Sequence, residues 1–231
     1  MKTLYVIPAR GGSKGLPGKN CKLLNGKPLI HYSIEAALRM TSADHICVST
    51  DDLQTKKVVE EIGIRVPFLR PPELAADATP MEDVLHHAIT FYEGQNILYD
   101  TIALLQPTSP LRRVGDIEKA LSVYRADVDM VMSVYETKAN PYYVLFEEVD
   151  GFLVKSKEGY FQTRQTAPKV FQANGAIYLI NVKSLKDKSM KQFSRVIKTE
   201  MEELNSVDID TPLDFVYCEF LISGGYWNSR G

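Results

Sequence analysis

Runs of consecutive apolar residues alternate along this chain with stretches in which apolar residues recur every three or four positions. The first pattern is typical of buried strands and predicts them over 4–7, 45–50, 65–69, 101–105, 130–134, 174–180 and 206–210. The second predicts amphipathic helices near 28–40, 58–62, 80–92, 116–124 and 211–221. Strands that alternate with helices favour a mostly parallel sheet covered on both faces. We therefore predict an α/β fold in a single domain, 1–231.

The alternation stops near Glu136, and the segment from about 137 to 168 is aromatic and polar instead. Its short alternating runs predict β-hairpins around Asp150-Gly151 and Glu158-Gly159. We interpret this segment as an excursion out of the sheet, and an exposed apolar excursion needs a partner surface.

The last helix opens at Thr211-Pro212, where proline is tolerated in the first turn. Its apolar spacing predicts a core-facing side made of Leu213, Val216, Tyr217, Phe220 and Leu221.

Composition narrows the class of function. The 231 residues carry a formal net charge of −2, which gives no support for binding to nucleic acid or to a membrane surface. No apolar run approaches the roughly 18 residues of a membrane span, and no signal-peptide region precedes the first strand. Three scattered cysteines, Cys21, Cys47 and Cys218, indicate reduced thiols. We therefore expect a cytoplasmic protein.

The segment 7–20, Ile-Pro-Ala-Arg-Gly-Gly-Ser-Lys-Gly-Leu-Pro-Gly-Lys-Asn, joins the first strand to the first helix. Its glycines let the backbone turn sharply and approach a ligand, and Arg10, Lys14 and Lys19 add three cations. Backbone N–H groups and cations together are what a polyphosphate requires. The spacing fits neither the P-loop nor the dinucleotide fingerprint. The loop leaves the carboxyl end of a strand, where open α/β sheets bind ligands.

This segment resembles the N-terminal signature of the acylneuraminate cytidylyltransferases, the CMP-sialic acid synthetases. Their pattern, I-P-A-R-x-G-S-K-G-x-x-x-K-N, is matched here at every specified position. The related Kdo cytidylyltransferases usually have Arg where this chain has Gly15 and Pro where it has Asn20. The resemblance implies a Rossmann-like sheet of the nucleotide-diphospho-sugar transferase type. It also implies that CTP and a nine-carbon 2-keto sugar acid give the CMP-sugar and pyrophosphate.

The resemblance also implies roles for individual residues. The residues expected to bind the nucleotide are Arg10, Gly12, Ser13, Lys19, Asn20, Arg70 and Thr79. Two further stretches, Gln106-Pro-Thr-Ser-Pro-Leu-Arg112 and Arg164-Gln165 followed by Asn174-Gly-Ala-Ile-Tyr178, resemble other motifs of the family. The residues expected at the sugar are Gln106, Lys138, Arg164 and Tyr178. The expected catalytic set is Arg10, Lys19, Arg164, Asp208 and Asp210.

Asp208 and Asp210 are two apart, so on a strand they point to the same face. Two unpaired carboxylates on one face repel each other, and a divalent cation relieves that repulsion. Hard oxygen ligands, few of them from protein, suit Mg²⁺, which also takes phosphate oxygens. Alone, this pattern is weak evidence for a metal and is more typical of two exposed carboxylates near a helix start. The pair lies where the resembled family keeps its metal ligands, which favours Mg²⁺ or Mn²⁺.

The sugar is less defined by the sequence. Many sialic acid enzymes carry His-Pro-x-Lys, whose lysine contacts the sugar carboxylate, but this chain has Asn140-Pro-Tyr-Tyr143. Either Lys138 replaces that lysine, or Arg164 and a tyrosine hydroxyl hold the carboxylate. N-acetylneuraminate and Kdn are the expected substrates, with legionaminate, pseudaminate or Kdo as alternatives.

Two wider questions stay open at this point. The resemblance implies a homodimer formed through the excursion, 137–168. A non-catalytic sensor of nucleotide or sugar on the same fold is the alternative to an enzyme, and the joint presence of Arg10, Lys19, Asp208 and Asp210 favours catalysis. No general base is evident.

Overall fold

The computed structural model describes residues 1–13, 15–161 and 163–228. The strands are β1 Thr3–Pro8, β2 Leu23–Leu24, β3 Lys27–Pro28, β4 Ile46–Ser49, β5 Thr101–Leu105, β6 Met130–Glu136, β7 Phe146–Val149, β8 Phe152–Lys155, β9 Phe171–Asn181 and β10 Val196–Glu200. The helices are α1 Leu29–Leu38, α2 Leu53–Glu60, α3 Met81–Glu93, α4 Val114–Val123, α5 Val182–Asp187 and α6 Pro212–Ser223.

A six-stranded sheet in the order β10-β6-β9-β5-β1-β4 organises the molecule. β1 is parallel to both neighbours, β4 and β5, and β10 is parallel to β6. Among the described strands of this six-stranded sheet, only β9 runs antiparallel to the strands beside it, because it returns from the excursion between β5 and β6. The predicted mostly parallel α/β fold is thereby confirmed.

Helices cover both faces of this sheet. Along β1, Tyr5 and Ile7 pack into one apolar cluster with α1, α2 and α4. The alternate residues, Leu4 and Val6, pack into a second cluster with α3 and α5. Strands buried on both faces read as continuous apolar runs, which is why β1, β4 and β5 were visible in the sequence.

Two predicted strands are wrong. Residues 65–69 form only a single parallel bridge, Thr50 to Leu69, and Pro67 in this stretch has no N–H to give to a ladder. The 206–210 segment forms no ladder; a 3₁₀ turn, Leu204–Ser206, leads instead into extended chain.

The excursion contains one of its two predicted hairpins. β7 and β8 pair antiparallel around Asp150 and Gly151, whose φ angles of 51° and 81° suit a tight hairpin turn. No strand forms around 158–159 within the described part of this segment, so the second hairpin is wrong. The β7–β8 hairpin is a separate two-stranded sheet, and all its residues are exposed.

The predicted core face of α6 is wrong for four of its five residues, and Leu221 alone is buried as predicted. Phe215, Cys218 and Leu221 are buried against a third apolar cluster that includes Leu16 and Leu24. The outer face of α6, defined as Leu213, Val216, Tyr217 and Phe220, is between 49% and 76% exposed. This helix carries apolar residues on nearly all sides, so spacing alone does not show which side is buried.

Candidate functional site

The glycine-rich loop begins at the carboxyl end of β1, between the ends of β4 and β5. Its first residues are fixed to the end of β4: the Ala9 N–H donates to the Ser49 carbonyl at 2.9 Å, and the Gly11 N–H donates to Asp51 Oδ1 at 3.0 Å. Here the chain order reverses, with β4 on one side of β1 and β5 on the other. Open α/β sheets bind ligands in the crevice at this kind of position.

A cavity of about 290 Å³, which we call the loop cavity, opens beside this loop. Its lining is Pro8, Arg10, Ser13, Lys19, Asn20, Arg70, Met81, Gln106, Pro107, Thr108, Asp208 and Asp210. Five of the seven predicted nucleotide-binding residues therefore lie together. Gly12 and Thr79 are not part of this lining, and the Thr79 hydroxyl donates to the Glu73 carbonyl at 3.2 Å.

A second cavity, of about 950 Å³, lies against the ends of β6 and β9, and we call it the sheet-end cavity. Its lining is Gln106, Tyr135, Lys138, Gln172, Ala173, Asn174, Gly175, Tyr178, Glu203, Leu204, Ser206, Val207, Asp208, Asp214 and Tyr217. Three of the four predicted sugar residues belong to it. The side chain of the fourth, Arg164, is outside the part of the chain that the structure describes.

Gln106 and Asp208 line both cavities, so the two spaces adjoin at these side chains. A ligand in the loop cavity and a ligand in the sheet-end cavity would meet there. This arrangement suits a reaction between two bound molecules, because holding both reactants in one orientation removes much of the entropic barrier.

Three cations line the loop cavity. Arg70 is buried; its Nε donates to Ser49 Oγ at 3.0 Å and its Nη2 to the Ser49 carbonyl at 2.6 Å, and burial lowers the pKa of the guanidinium. Arg10 is paired with Asp77 and remains about one-third exposed. Lys19 Nζ donates to the Ile209 carbonyl at 3.0 Å and lies 3.4 Å from Asp210 Oδ1. The cavity is therefore suited to an anionic ligand.

Asn20 is buried, and its Nδ2 donates to the Arg10 carbonyl at 3.0 Å. Its amide therefore shapes the loop as well as lining the cavity.

Arg112 has a purely internal position: it donates to the Gln106 carbonyl at 2.6 Å and to the Ala176 carbonyl at 3.0 Å. Burial lowers its pKa to about 10. Arg112 thus holds the proline-rich turn that presents Gln106.

Asp208 and Asp210 flank Ile209, which is fully buried and whose N–H donates to the Thr108 carbonyl at 2.7 Å. In this extended segment both carboxylates are exposed, on the side opposite Ile209. Protein atoms around the Asp208 carboxyl displace part of its water, and this burial raises its pKa. A hydrogen bond from Thr108 lowers the pKa in part, and the charge of Asp210 raises it again.

This pair fits a magnesium ion by the chemistry of its donors. Both supply hard carboxylate oxygens, and a cation between them would offset the repulsion between their charges. Within the described residues no group of three or more His, Cys, Asp or Glu could hold a metal. Mg²⁺ is commonly bound by one or two carboxylates, with water and substrate phosphates completing its shell.

The glycine-rich loop also touches residues 208–210, which we call the carboxylate segment. A Cβ atom placed on Gly15 would lie 2.2 Å from the Asp210 carbonyl oxygen, far inside van der Waals contact. Only glycine permits this approach between the two backbones.

Several lining residues were not singled out from the sequence. Tyr135 and Gln172 face each other across β6 and β9, and only the strand register brings them together. Glu203 follows β10, and its carboxylate lies 2.7 Å from Lys138 Nζ. The nearby Asn174 belonged to a recognised motif but had no assigned role. No local sequence signal marks the other three.

Comparisons with known proteins give a consistent result. Residues 4–218 match the family model described as cytidylyltransferase. The chain is 36% identical over 231 residues to the CMP-N,N'-diacetyllegionaminic acid synthase of Legionella pneumophila, covering 96% of this chain and 97% of that protein. It is 37% identical over 224 residues to the N-acylneuraminate cytidylyltransferase of Streptococcus agalactiae, covering 94% of this chain and 52% of that longer protein.

Among solved structures, the CMP:2-keto-3-deoxy-manno-octonic acid synthetase complexed with CTP has the same fold, with a TM-score of 0.73 at 22% identity. That match covers 97% of this chain and 100% of the other. No helix in the described part of the chain is long and apolar enough to span a membrane.

Proposed function

Because this chain belongs to the cytidylyltransferase family, we propose that it transfers the cytidylyl group of CTP to a nine-carbon 2-keto sugar acid and releases pyrophosphate. The observation that carries this proposal is the meeting of the two cavities at Gln106 and Asp208. CTP occupies the loop cavity and the sugar acid occupies the sheet-end cavity. The anomeric hydroxyl of the sugar attacks the α-phosphorus, the bond to the β-phosphate oxygen breaks, and CMP-sugar forms.

The chain's own residues mainly position the reactants and offset charge, as is usual in phosphoryl-type transfer. Arg10, Ser13 and Lys19 hold the phosphates, and Arg70 adds a fixed positive charge at the cavity wall. The Nδ2 of Asn20 already donates to the Arg10 carbonyl within the loop. Its Oδ1 is then the atom that accepts from the amino group of cytosine, a donor that uracil lacks.

Asp208 and Asp210 would hold Mg²⁺ or Mn²⁺. Such an ion would supply positive charge that offsets the charge developing on the leaving pyrophosphate. Lys19 lies beside Asp210 and supplies a second positive charge on the same side.

For the sugar, we propose N-acetylneuraminate or Kdn, with legionaminate as the main alternative. The two curated relatives divide on this point, since one is named for N,N'-diacetyllegionaminic acid and the other for N-acylneuraminate. Lys138 lines the sheet-end cavity at its rim, with its side chain 85% exposed and paired with Glu203. We propose that the sugar carboxylate takes the place of Glu203 on Lys138.

The role of Lys138 is tested by Lys138→Met, with Lys183→Met on α5 as the control. We expect the KM for the sugar to rise about threefold to tenfold, the low end for a charge-assisted hydrogen bond because this lysine is exposed. The KM for CTP should stay within twofold, and Lys183→Met should change neither constant. An unchanged KM for the sugar in Lys138→Met would mean that groups other than Lys138 bind the sugar carboxylate.

We also propose a homodimer formed through residues 137–168. A lone two-stranded hairpin is marginally stable in water, and Phe152 and Leu153 of β8 are 75% and 72% exposed. The outer face of α6 is a second exposed apolar surface, and its Tyr217 lines the sheet-end cavity. Two such surfaces on one chain suit a second copy in which the hairpin of one protomer covers α6 of the other.

Sedimentation velocity at micromolar concentration tests the dimer. We expect wild type to sediment as a dimer and the double variant Phe152→Asp with Leu153→Lys to sediment as a monomer. The control is Leu53→Lys on α2, a residue that is 68% exposed outside both surfaces and should leave the dimer intact. A fully active wild-type monomer would contradict the proposal.

We keep the expectation that the enzyme works in the cytoplasm. Cys21, Cys47 and Cys218 are unpaired in the structure, as suits a reducing compartment. Cell fractionation followed by immunodetection tests this, and recovery in an oxidising compartment would contradict it.

The proposed activity is tested by pyrophosphate release with CTP and each of N-acetylneuraminate, Kdn, legionaminate, pseudaminate and Kdo. We expect a nine-carbon acid to give the highest kcat/KM and UTP to be a much poorer nucleotide. A kcat/KM for Kdo more than about tenfold above the others, a difference of ~1.4 kcal/mol, would remove the nine-carbon assignment. Binding of CTP and sugar without turnover would favour a sensor.

A further inference from the structure

The sheet is irregular beside the junction of the two cavities. The register between β6 and β9 shifts between Met132 and Val134, and on β9 the φ angle of Gly175 is 72°. A Cβ on Gly175 would lie 3.8 Å from both Asp208 Oδ2 and Gln106 Nε2. This bulge in β9 therefore forms the wall behind the two side chains that the cavities share.

A buried set of side chains stabilises the bulge, and we call Ser133, Asn174 and Ser206 the bulge network. Ser133 Oγ donates to Asn174 Oδ1 at 2.6 Å, and Asn174 Nδ2 donates to Ser206 Oγ at 2.9 Å. The three residues are 0%, 4% and 7% exposed, respectively. The network joins strand β6, the bulged strand β9 and the turn that precedes Asp208.

Every polar group of the Asn174 amide is used within the protein. Its Oδ1 also accepts from the Ala176 N–H at 3.2 Å, and its Nδ2 also lies 3.3 Å from Met201 Sδ. Ser133 Oγ in turn accepts from the Ile177 N–H at 2.8 Å. A satisfied, buried amide is poorly placed to bind substrate, although Asn174 belongs to the cavity lining.

The network ends two residues before Asp208. Residues 207–210 belong to no strand, so no ladder of backbone hydrogen bonds fixes them. Upstream, Ser206 is held by Asn174 and donates to the Glu202 carbonyl at 2.8 Å. In the middle, the Ile209 N–H is held by Thr108. Asp208 therefore lies between two anchors, one to the bulge and one to the proline-rich turn.

We propose that Ser206 is a positioning residue for Asp208, and that the bulge network fixes this carboxylate at the junction of the two cavities. The inference rests on the proposed function, because it takes Asp208 to be a ligand of the divalent ion. Groups that orient a metal ligand without touching the metal typically contribute about 10–100-fold in metal affinity or activity.

The test is a titration of Mn²⁺ in the presence of CTP and the absence of sugar, followed by electron paramagnetic resonance. We expect Ser206→Ala to weaken Mn²⁺ binding by about tenfold or more and to lower kcat similarly. The KM for the sugar should stay within twofold, which separates positioning from direct contact between Ser206 and the sugar. Ser206→Thr keeps the hydroxyl and should recover most of the binding.

Thr199→Val on β10 is the matched control. Thr199 is 2% exposed, and its hydroxyl has no hydrogen-bond partner among the described residues. Its loss should leave Mn²⁺ affinity unchanged. If Ser206→Ala does not fold, Ser133→Ala breaks the far end of the network and should still weaken Mn²⁺ binding severalfold.

Unchanged Mn²⁺ affinity in a folded Ser206→Ala or Ser133→Ala would overturn the inference, and so would an equal loss in Thr199→Val. Weakened Mn²⁺ binding in Ser206→Ala, with no turnover of any sugar acid by wild type, would leave the positioning role in place and remove the proposed reaction. Turnover by wild type without Mn²⁺ binding would overturn both the metal assignment and this inference.

Discussion

Gly15 offers a sharp test of how closely the loop and the carboxylate segment must approach. In Gly15→Ala the new methyl group would lie 2.2 Å from the Asp210 carbonyl oxygen, whereas real Cβ contacts are essentially never below 3.0 Å. The oxygen belongs to the backbone and cannot swing away as a side chain would. The loop and the carboxylate segment must therefore separate by about 1 Å, and a shift of that size in a catalytic arrangement costs roughly 100-fold in rate.

The assay is kcat/KM for CTP by pyrophosphate release, with a thermal melt of the same sample. We expect kcat/KM to fall about 100-fold, or ~2.7 kcal/mol of transition-state stabilisation, and Tm to fall by several degrees from overpacking. The control is Gly115→Ala in α4, where a Cβ meets nothing within 4 Å. That change should keep activity and add a little helix stability. A Gly15→Ala enzyme within threefold of wild type would refute the reasoning.

Two further predictions follow from the charged groups. Asp208→Asn and Asp210→Asn should each lower kcat more than about tenfold with little change in Tm, since a loss of ~1.4 kcal/mol of transition-state stabilisation already lowers the rate tenfold. EDTA should abolish turnover by wild type. Near-normal rates in both variants would mean that the metal binds at another site. Asp129 is buried and accepts from the Arg195 N–H at 3.0 Å and from Lys188 Nζ at 3.0 Å; these bonds hold its pKa below its ordinary 3.8. The stability that the Asp129 carboxylate contributes is therefore present above pH 3.8 and is lost as the pH falls through the lowered folded-state pKa. Urea unfolding should show Asp129→Asn less stable than wild type by about 2–4 kcal/mol at pH 7, and this difference in unfolding free energy should narrow below pH 3.8. A difference that does not depend on pH would contradict this.

The sequence predicted best the elements whose evidence is local and apolar. β5 was expected at 101–105 and occupies Thr101–Leu105, because a strand buried on both faces is one unbroken apolar run. β10, Val196–Glu200, was not expected, since only one of its five residues is buried and its two apolar residues are followed by three polar ones, which is neither an apolar run nor an alternation. For α6 the helix was expected but, apart from Leu221, its buried face was not, because that face depends on what packs against it.

The candidate site divides in the same way. The loop from Arg10 to Asn20 and the pair Asp208 and Asp210 are local motifs, and the fold brings them to one cavity. The sheet-end cavity depends on strand register and on a bulge at Gly175, neither of which a single sequence displays. The place of Gln172 and Ser206 beside the site shows only in the folded structure, where β6, β9 and the turn before Asp208 come together.

The most direct test of the account is to follow the phosphorus atoms of CTP by ³¹P NMR while the purified enzyme acts on N-acetylneuraminate or Kdn with Mg²⁺. Attack at the α-phosphorus predicts that the three CTP signals are replaced by one phosphodiester signal from the CMP-sugar and one from pyrophosphate, in equal molar amounts. Formation of CDP or inorganic phosphate, or intact CTP with every nine-carbon acid tried, would contradict the proposal that this chain makes a CMP-activated sugar acid.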